Sequence, residues 1–209
     1  MKHKVNTIYD DQIYEGVDSL RRAFFTAACA DDVDGVCQAL DGGVDLYAPS
    51  AVGDVMTHAI RGGSDDVVDA LLRRGFDPER VDPKYQQSPL MTAVQFNRLS
   101  IADALIRHGA NPNAPGVYSD PLSFAFGGNK PEMVRLLVAA GADTTQVRPK
   151  AAKAMNYPDH SDHRHSLPVL VPMLEEEDKR RAIDGLQTAA RDGTTETMQV
   201  RKPLRLKRR

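Results

Sequence analysis

Tryptophan is absent from the 209 residues, and aromatic residues make up only 6% of the chain. That excludes a large aromatic core, so small and aliphatic side chains must do the packing, as they do in thin helical layers. Cysteine is nearly absent too. Cys29 and Cys37 are too few to make a disulfide framework, and both are expected to be free thiols in a reducing compartment. No apolar run approaches the roughly 18 residues that span a bilayer, and the first 25 residues hold no apolar leader core. A cytoplasmic location and no membrane partner are therefore expected.

Catalytic signatures are missing as well. There is no G-x-S-x-G, no phosphate-cradling glycine loop and no H-E-x-x-H, and neither cysteine has an evident histidine partner along the sequence. Neither an enzyme nor a cofactor is expected. The pairs Asp10-Asp11, Asp31-Asp32 and Asp65-Asp66 read as helix-start and solvent-face charges rather than acid/base couples. Asp159-His160-Ser161-Asp162-His163-Arg164-His165 carries metal-ligand side chains, but their spacing matches no structural zinc pattern, so it reads as a solvated polar loop without metal. Net charge is close to balance at −2, yet unevenly spread: residues 195–209 hold six basic groups and one acid (+5), leaving −7 on residues 1–194.

What the chain does have is a period. Gly43-Val44-Asp45, Gly75-Phe76-Asp77, Gly109-Ala110-Asn111 and Gly141-Ala142-Asp143 place their glycines 32, 34 and 32 residues apart. Sixteen residues before each lie Ala27, Ala59, Ala93 and Ala125, at intervals of 32, 34 and 32. Four residues past each alanine stands Asp31, Gly63, Asn97 or Asn129, residue types that tolerate the positive φ of a helix stop. Ser88-Pro89 and Asp120-Pro121 supply a capping oxygen followed by proline at the first helical position. A second helix follows each stop, with apolar residues at helical spacing: Val68, Leu71 and Leu72; Ala102, Leu105 and Ile106; Val134, Leu137 and Val138. A repeat near 33 residues built as helix, turn, helix and extended loop is the mark of a stacked solenoid.

The unit resembles the ankyrin repeat, over four copies at about residues 20–146. Copies three and four carry the fuller pattern. Copy two, Gly53-Asp54-Val55-Met56-Thr57-His58-Ala59, lacks the proline, and copy one keeps the alanines, the spacing and the Gly-Val-Asp end. The histidine usual after the first-helix leucine is replaced by Phe25, Thr57, Met91 and Ser123, so its usual hydrogen bonds between loops are not expected. The resemblance implies an all-α ankyrin-repeat solenoid whose helix pairs are joined by β-hairpin loops. Residues 1–19 would form an N-terminal cap, 20–150 the repeat domain and 151–194 a C-terminal loop and capping helix. Residues 195–209 would form a disordered basic tail comprising Arg201, Lys202, Arg205, Lys207, Arg208 and Arg209.

Within 151–194, residues 156–172 hold three prolines and read as a loop lying against the last repeat. A helix is expected from about Leu174 to Arg191, docking through Ile183, Leu186 and Ala190.

The family binds partners along its hairpin tips and first-helix face. The residues before the stops then place Arg61, Gln95 and Phe96 on that face. The loops add Lys84, Tyr85, Gln87, Val117, Tyr118 and Ser119. Phe96 is the most telling, because an aromatic ring facing solvent calls for a partner. The expected function is a non-catalytic protein-binding module, monomeric before it forms a complex. With arginine in excess over lysine, 18 to 9, as in GC-rich bacterial genomes, this suggests a bacterial inhibitor or immunity protein blocking a toxin or enzyme, or a small adaptor. Two alternatives stand beside it: a secreted effector that binds host proteins, and a nucleic-acid-associated factor acting through the basic tail. The second is weakened by the absence of interleaved aromatics in the tail and by the acidic body.

Overall fold

A computed structural model describes residues 19–48, 50, 53–114, 116, 119–156 and 165–192. Among them the chain forms helices α1 (Ser19–Cys29), α2 (Val33–Asp41), α3 (Val55–Gly62), α4 (Asp65–Arg73), α5 (Pro89–Gln95), α6 (Leu99–Arg107), α7 (Pro121–Gly127), α8 (Pro131–Ala139), α9 (Val147–Asn156) and α10 (Leu167–Asp192). Contacts divide the chain into two compact units, residues 1–124 and 125–209, with the division falling inside α7.

The recurring residues have recurring backbone jobs. Asp31, Gly63, Asn97 and Asn129 take φ of 57°, 78°, 55° and 54°. The next residue in each case (Asp32, Ser64, Arg98 or Lys130) turns its N–H back onto the carbonyl of the repeated alanine, at 2.9–3.0 Å. This is the 6→1 bond of a Schellman cap, so each stop residue and its alanine are the two ends of one motif. The second helices end the same way. Gly43, Gly75, Gly109 and Gly141 take φ of 94°, 90°, 96° and 89°. The residue after each donates to Ala39, Leu71, Leu105 or Leu137 C=O, at 2.9–3.1 Å. The Asp or Asn that follows then closes an Asx turn. Asp45, Asp77, Asn111 and Asp143 accept the N–H of Tyr47, Glu79, Asn113 and Thr145, each at 2.9 Å. G-x-[DN] is thus a C-cap and a turn written in three residues. Gly63 has a further reason to lack a side chain: a Cβ there would sit 2.7 Å from the Arg98 guanidinium carbon.

In the first unit, first helices pack on first helices (α1 on α3, α3 on α5) and second helices on second helices (α2 on α4, α4 on α6). The alanines Ala27, Ala59 and Ala93 are buried and let these short helices approach closely, with Phe24, Phe25, Met56, Ile60, Leu90 and Val94 filling the layer. In the second helices the apolar stripe begins one residue earlier than expected, taking in Val67, Ile101 and Met133, whereas Ile106 and Val138 are only half-buried.

Helix starts follow the caps. Ser88 Oγ accepts Met91 N–H (3.2 Å) and Asp120 Oδ1 accepts Ser123 N–H (2.7 Å), with Pro89 and Pro121 at the first helical position. Asp54 does the same for α3 without a proline, accepting Thr57 N–H at 2.8 Å. Asp32 caps α2 through Gly35 N–H, and Asp65 and Asp66 lie in the first turn of α4, as helix-start charges should.

Two expectations need correction. The inter-repeat loops are not β-hairpins among the described residues, where pairing is confined to one isolated bridge, Ser50–Gly53. Asx turns and side-chain acceptors satisfy the loop backbone instead, leaving few groups for a ladder. From Leu167 to Pro172 the stretch is also helical rather than a loop: α9 ends at Asn156, His165 and Ser166 form a turn, and α10 starts at Leu167, seven residues before the expected position. Its prolines deter helix less than their number suggests. Pro168 lies in the first turn of α10, where N–H groups lack helical acceptors in any case. Pro172 lies in the helix interior with its ring exposed, while Leu170, Val171 and Leu174 around it are buried.

In the second unit, α10 packs on α8 and α9. Arg148 bonds both oxygens of Asp178 (2.9 and 3.0 Å), and Asn129 Oδ1 accepts the His165 and Ser166 N–H groups, both at 3.0 Å. The buried face of α10 is Leu170, Val171 and Leu174, whereas Ile183 is 53% exposed and does not dock as expected. The side chains of Leu186 and Ala190 lie outside the described residues, as do residues 1–18 and the basic positions Arg201, Lys202, Arg205, Lys207, Arg208 and Arg209.

Candidate partner-binding surface

Arg61, Tyr85 and Phe96 come from three different segments: the last turn of α3, the loop before α5, and the residue that ends α5. The fold brings them together. The Arg61 guanidinium carbon lies 5.3 Å from the centroid of the Tyr85 ring and 5.3 Å from that of Phe96, and Arg61 Nη1 donates to the Tyr85 hydroxyl at 2.6 Å. A guanidinium between two π-faces is held without losing all its donors. Phe96 remains 39% exposed. Lys84, Gln95 and Arg61 are exposed, and Tyr85 and Gln87 half-buried. Ser119 is half-buried further along the chain, while Val117 and Tyr118 lie outside the described residues.

Beneath the cluster is a residue that sequence reasoning missed. Asp82 is 1% exposed, and its carboxylate accepts four hydrogen bonds: Asp54 N–H (2.7 Å), Thr57 hydroxyl (2.9 Å), and Lys84 and Tyr85 N–H (2.8 Å each). Asp82 N–H in turn donates to Gln87 C=O, and Gln86 N–H to Asp82 C=O. One buried side chain thereby folds the loop that carries Lys84 and Tyr85 and ties it to the start of α3. Burial alone would raise the Asp82 pKa, but the donors from Asp54, Tyr85, Thr57 and Lys84 outweigh it and hold the carboxyl below its usual value. Asp54, also buried, is shifted the other way by burial, with the neighbouring Asp82 charge adding to the rise.

A signal for this loop was present in the spacing. Gly75 to Ala93 is 18 residues, whereas Gly43 to Ala59 and Gly109 to Ala125 are 16 each, so two extra residues lie in the stretch that holds Asp82–Tyr85. Neighbouring loops are tied by other missed side chains. The Tyr47 hydroxyl donates to Gly75 C=O and accepts Asp77 N–H, both at 3.2 Å, and Glu79 Oε1 accepts Asn111 N–H at 2.8 Å. These bonds connect loops in a repeat that lacks its usual histidine.

A second grouping carries the side chains of nucleophilic chemistry. Cys29 Sγ lies 3.4 Å from His58 Nδ1, and His58 Nε2 lies 2.9 Å from Ser50 Oγ, so the cysteine does acquire a histidine partner that the sequence did not reveal. The Ser50 hydroxyl proton goes to Gly53 C=O at 2.6 Å. Ser50 Oγ must then accept from His58, which puts the imidazole proton on Nε2 and a lone pair toward Cys29. His58 is 8% exposed and lies against the Phe25 ring, with centroids 5.0 Å apart. Burial first, and the Arg61 charge second, lower its pKa to about 4. So weak a base draws little proton from a thiol, and the arrangement reads as a buried, neutral histidine in the core. Cys37 is likewise free and half-buried.

No group of three or more metal-ligating side chains occurs among the described residues, and His160 and His163 lie outside them. Among the described residues no helix is long and apolar enough to cross a membrane.

A family model described as ankyrin repeats (three copies) matches residues 24–116 and 55–148, which together make more than half of the chain. The mouse B-cell lymphoma 3 protein homolog is 40% identical over 109 residues, 51% of this chain and 24% of that protein. A putative ankyrin repeat-containing protein of Treponema pallidum is 28% identical over 130 residues, 61% of this chain and 44% of that one. Glycerophosphocholine phosphodiesterase gde1 of Schizosaccharomyces pombe is 33% identical over 109 residues, which is 10% of its length. The chain spans less than half the length of each of these relatives. Such repeats imply a protein–protein interaction module and are typically non-catalytic.

Proposed function

The chain belongs to the ankyrin-repeat family, and we propose that it acts by occupying a surface of one partner protein, through the face that carries Arg61, Lys84, Tyr85, Gln87, Gln95 and Phe96. The observation that supports this reading is the Arg61–Tyr85–Phe96 cluster: an exposed arginine at the end of α3, flanked by two aromatic rings, one of them on a loop anchored by a buried carboxylate. Arginine and large aromatics are the usual energetic centres of protein interfaces, and fixing them before binding reduces the entropy lost on association. Val117, Tyr118 and Ser119 would extend the same face into the next repeat. The finer role we infer is that of an inhibitor or immunity protein covering a toxin or enzyme, or of a small cytoplasmic adaptor, monomeric until it meets its partner.

The test is affinity capture from the native cell with the wild-type chain and a Tyr85→Ala/Phe96→Ala double variant. One stoichiometric partner should be retained by the first and lost by the second, at a cost of more than roughly 2 kcal/mol. Full affinity in a folded double variant would refute the placement, and a toxin or enzyme whose activity is blocked in the complex would identify the inhibitor role.

A further inference from the structure

We propose that the clamped Arg61 guanidinium is a receptor for a carboxylate, so that the partner segment docking on this face is an acidic peptide with apolar residues beside its Asp or Glu. The proposal rests on the reading that this face binds the partner, and it adds what the face selects. Arg61 uses Nη1 on the Tyr85 hydroxyl, and its Nε and Nη2 donors meet no acceptor among the described residues. The residues that carry both flanking rings are held at the backbone. Tyr85 N–H is held by Asp82, and Phe96 N–H by Thr92 C=O at 3.0 Å. The Arg61 carbonyl is itself held by Arg98 Nη2 at 2.8 Å. A planar fork with fixed orientation and spare donors is the geometry that reads a carboxylate bidentately.

The surrounding charge favours the same ligand. Arg61, Lys84 and Arg98 lie on adjoining segments, while the carboxylates of Asp54 and Asp82 are turned inward onto backbone N–H groups. Asp31, on the preceding repeat, has an oxygen on Val67 N–H at 3.2 Å. A positive lip therefore stands on a body whose residues 1–194 sum to −7, which favours an acidic segment at this face over the rest of the surface. Because Phe96 is partly open to solvent, it offers an apolar wall for the residue next to that carboxylate.

The test uses the full chain and three fluorescent peptides of equal length: alternating Glu–Leu, alternating Gln–Leu, and alternating Lys–Leu. Fluorescence polarisation should give at least tenfold tighter binding of Glu–Leu than of Gln–Leu, with the Lys–Leu peptide weakest. In Arg61→Gln that preference should fall to less than threefold, and Arg61→Lys, which keeps the charge but not the fork, should recover only part of it. Phe96→Ala should weaken the Glu–Leu and Gln–Leu peptides alike. Equal affinity for those two peptides, or a preference intact in Arg61→Gln, overturns the proposal. So does equal competition by a single-stranded oligonucleotide of the same net charge as Glu–Leu. Arg61 is exposed, so these variants should fold, as thermal circular dichroism will show. The native partner separates the two ideas. If Arg61→Gln retains it while Tyr85→Ala/Phe96→Ala loses it, the face is right and the carboxylate assignment wrong. Retention by both variants removes the face itself.

Discussion

Lowering the pH from 7 to 5 should weaken the fold through His58 in particular. The imidazole is neutral in the folded chain, with a pKa of about 4 against the ordinary 6.5, because it is buried and lies near Arg61. A histidine with a depressed folded pKa binds more protons when unfolded, so its contribution is fully present above about pH 6.5 and is lost as pH falls toward 4. The gap from 6.5 to about 4 corresponds to about 3 kcal/mol in full, of which about 2 kcal/mol is lost by pH 5. At a urea dependence of about 2 kcal/mol per molar, the unfolding midpoint should fall by about 1 M. Asp54 works in the opposite direction, since its raised pKa adds stability as it takes up a proton. The histidine therefore has to be followed by itself. Two measurements do so: the NMR shift of the His58 Hε1 proton, which should stay flat from pH 7.5 to 5, and the urea midpoint of His58→Gln, whose fall over that range should be about 1 M smaller than wild type. A His58 resonance that titrates near 6.5, or a midpoint fall unchanged in His58→Gln, would refute the argument.

Two further predictions concern the scaffold. Asp82→Ala leaves four donors without their acceptor in a buried place, and should cost roughly 2–4 kcal/mol in urea unfolding and shift the Tyr85 ring resonances. Because the Asp82 pKa is depressed, its stabilisation is present above the normal carboxylate pKa and is lost only as pH falls through the lower folded value. The wild-type advantage over the variant should therefore persist at pH 5. Asn97 holds φ of 55° at the end of α5, so Asn97→Ala should cost about 1 kcal/mol, while Asn97→Gly should be neutral to slightly stabilising. Equal losses in the two Asn97 variants would mean that the stop residue acts through its side chain rather than its backbone angle.

The parts of this fold that could be read in advance are those in which one residue type answers one local demand. A positive φ admits Gly, Asn or Asp, so the stops at 31, 63, 97 and 129 announce themselves. A close helix–helix approach demands alanine, and an Asx turn demands Asp or Asn two residues past the glycine. Register then followed from the spacing, and the family resemblance read on that register put Arg61 and Phe96 on the first-helix face and Tyr85 in the loop beside it. Proline proved the weaker guide. In the first turn of α10 it is compatible with helix, and at Pro172 the burial of Leu170, Val171 and Leu174 outweighs one missing backbone bond, so counting prolines gave a loop where the chain is helical.

What spacing cannot express is which side chain accepts which distant donor. Asp82 meets Asp54 and Thr57 from 28 and 25 residues away, and Cys29 meets His58 from 29, separations close to one repeat. At that distance no local preference constrains the choice, and only the stacking of one repeat on the next brings the atoms together. The two-residue excess between Gly75 and Ala93 is the exception, because it marks in the sequence where one loop departs from its neighbours. A loop lengthened only to project would need no internal carboxylate. This one spends a buried Asp on four donors, two of them the N–H groups of Lys84 and Tyr85. The conformation of those two residues is therefore fixed by a group that never reaches the surface. That arrangement is expected where orientation matters to a ligand, and it is why Asp82→Ala should weaken partner binding by more than its own absence from the interface would suggest.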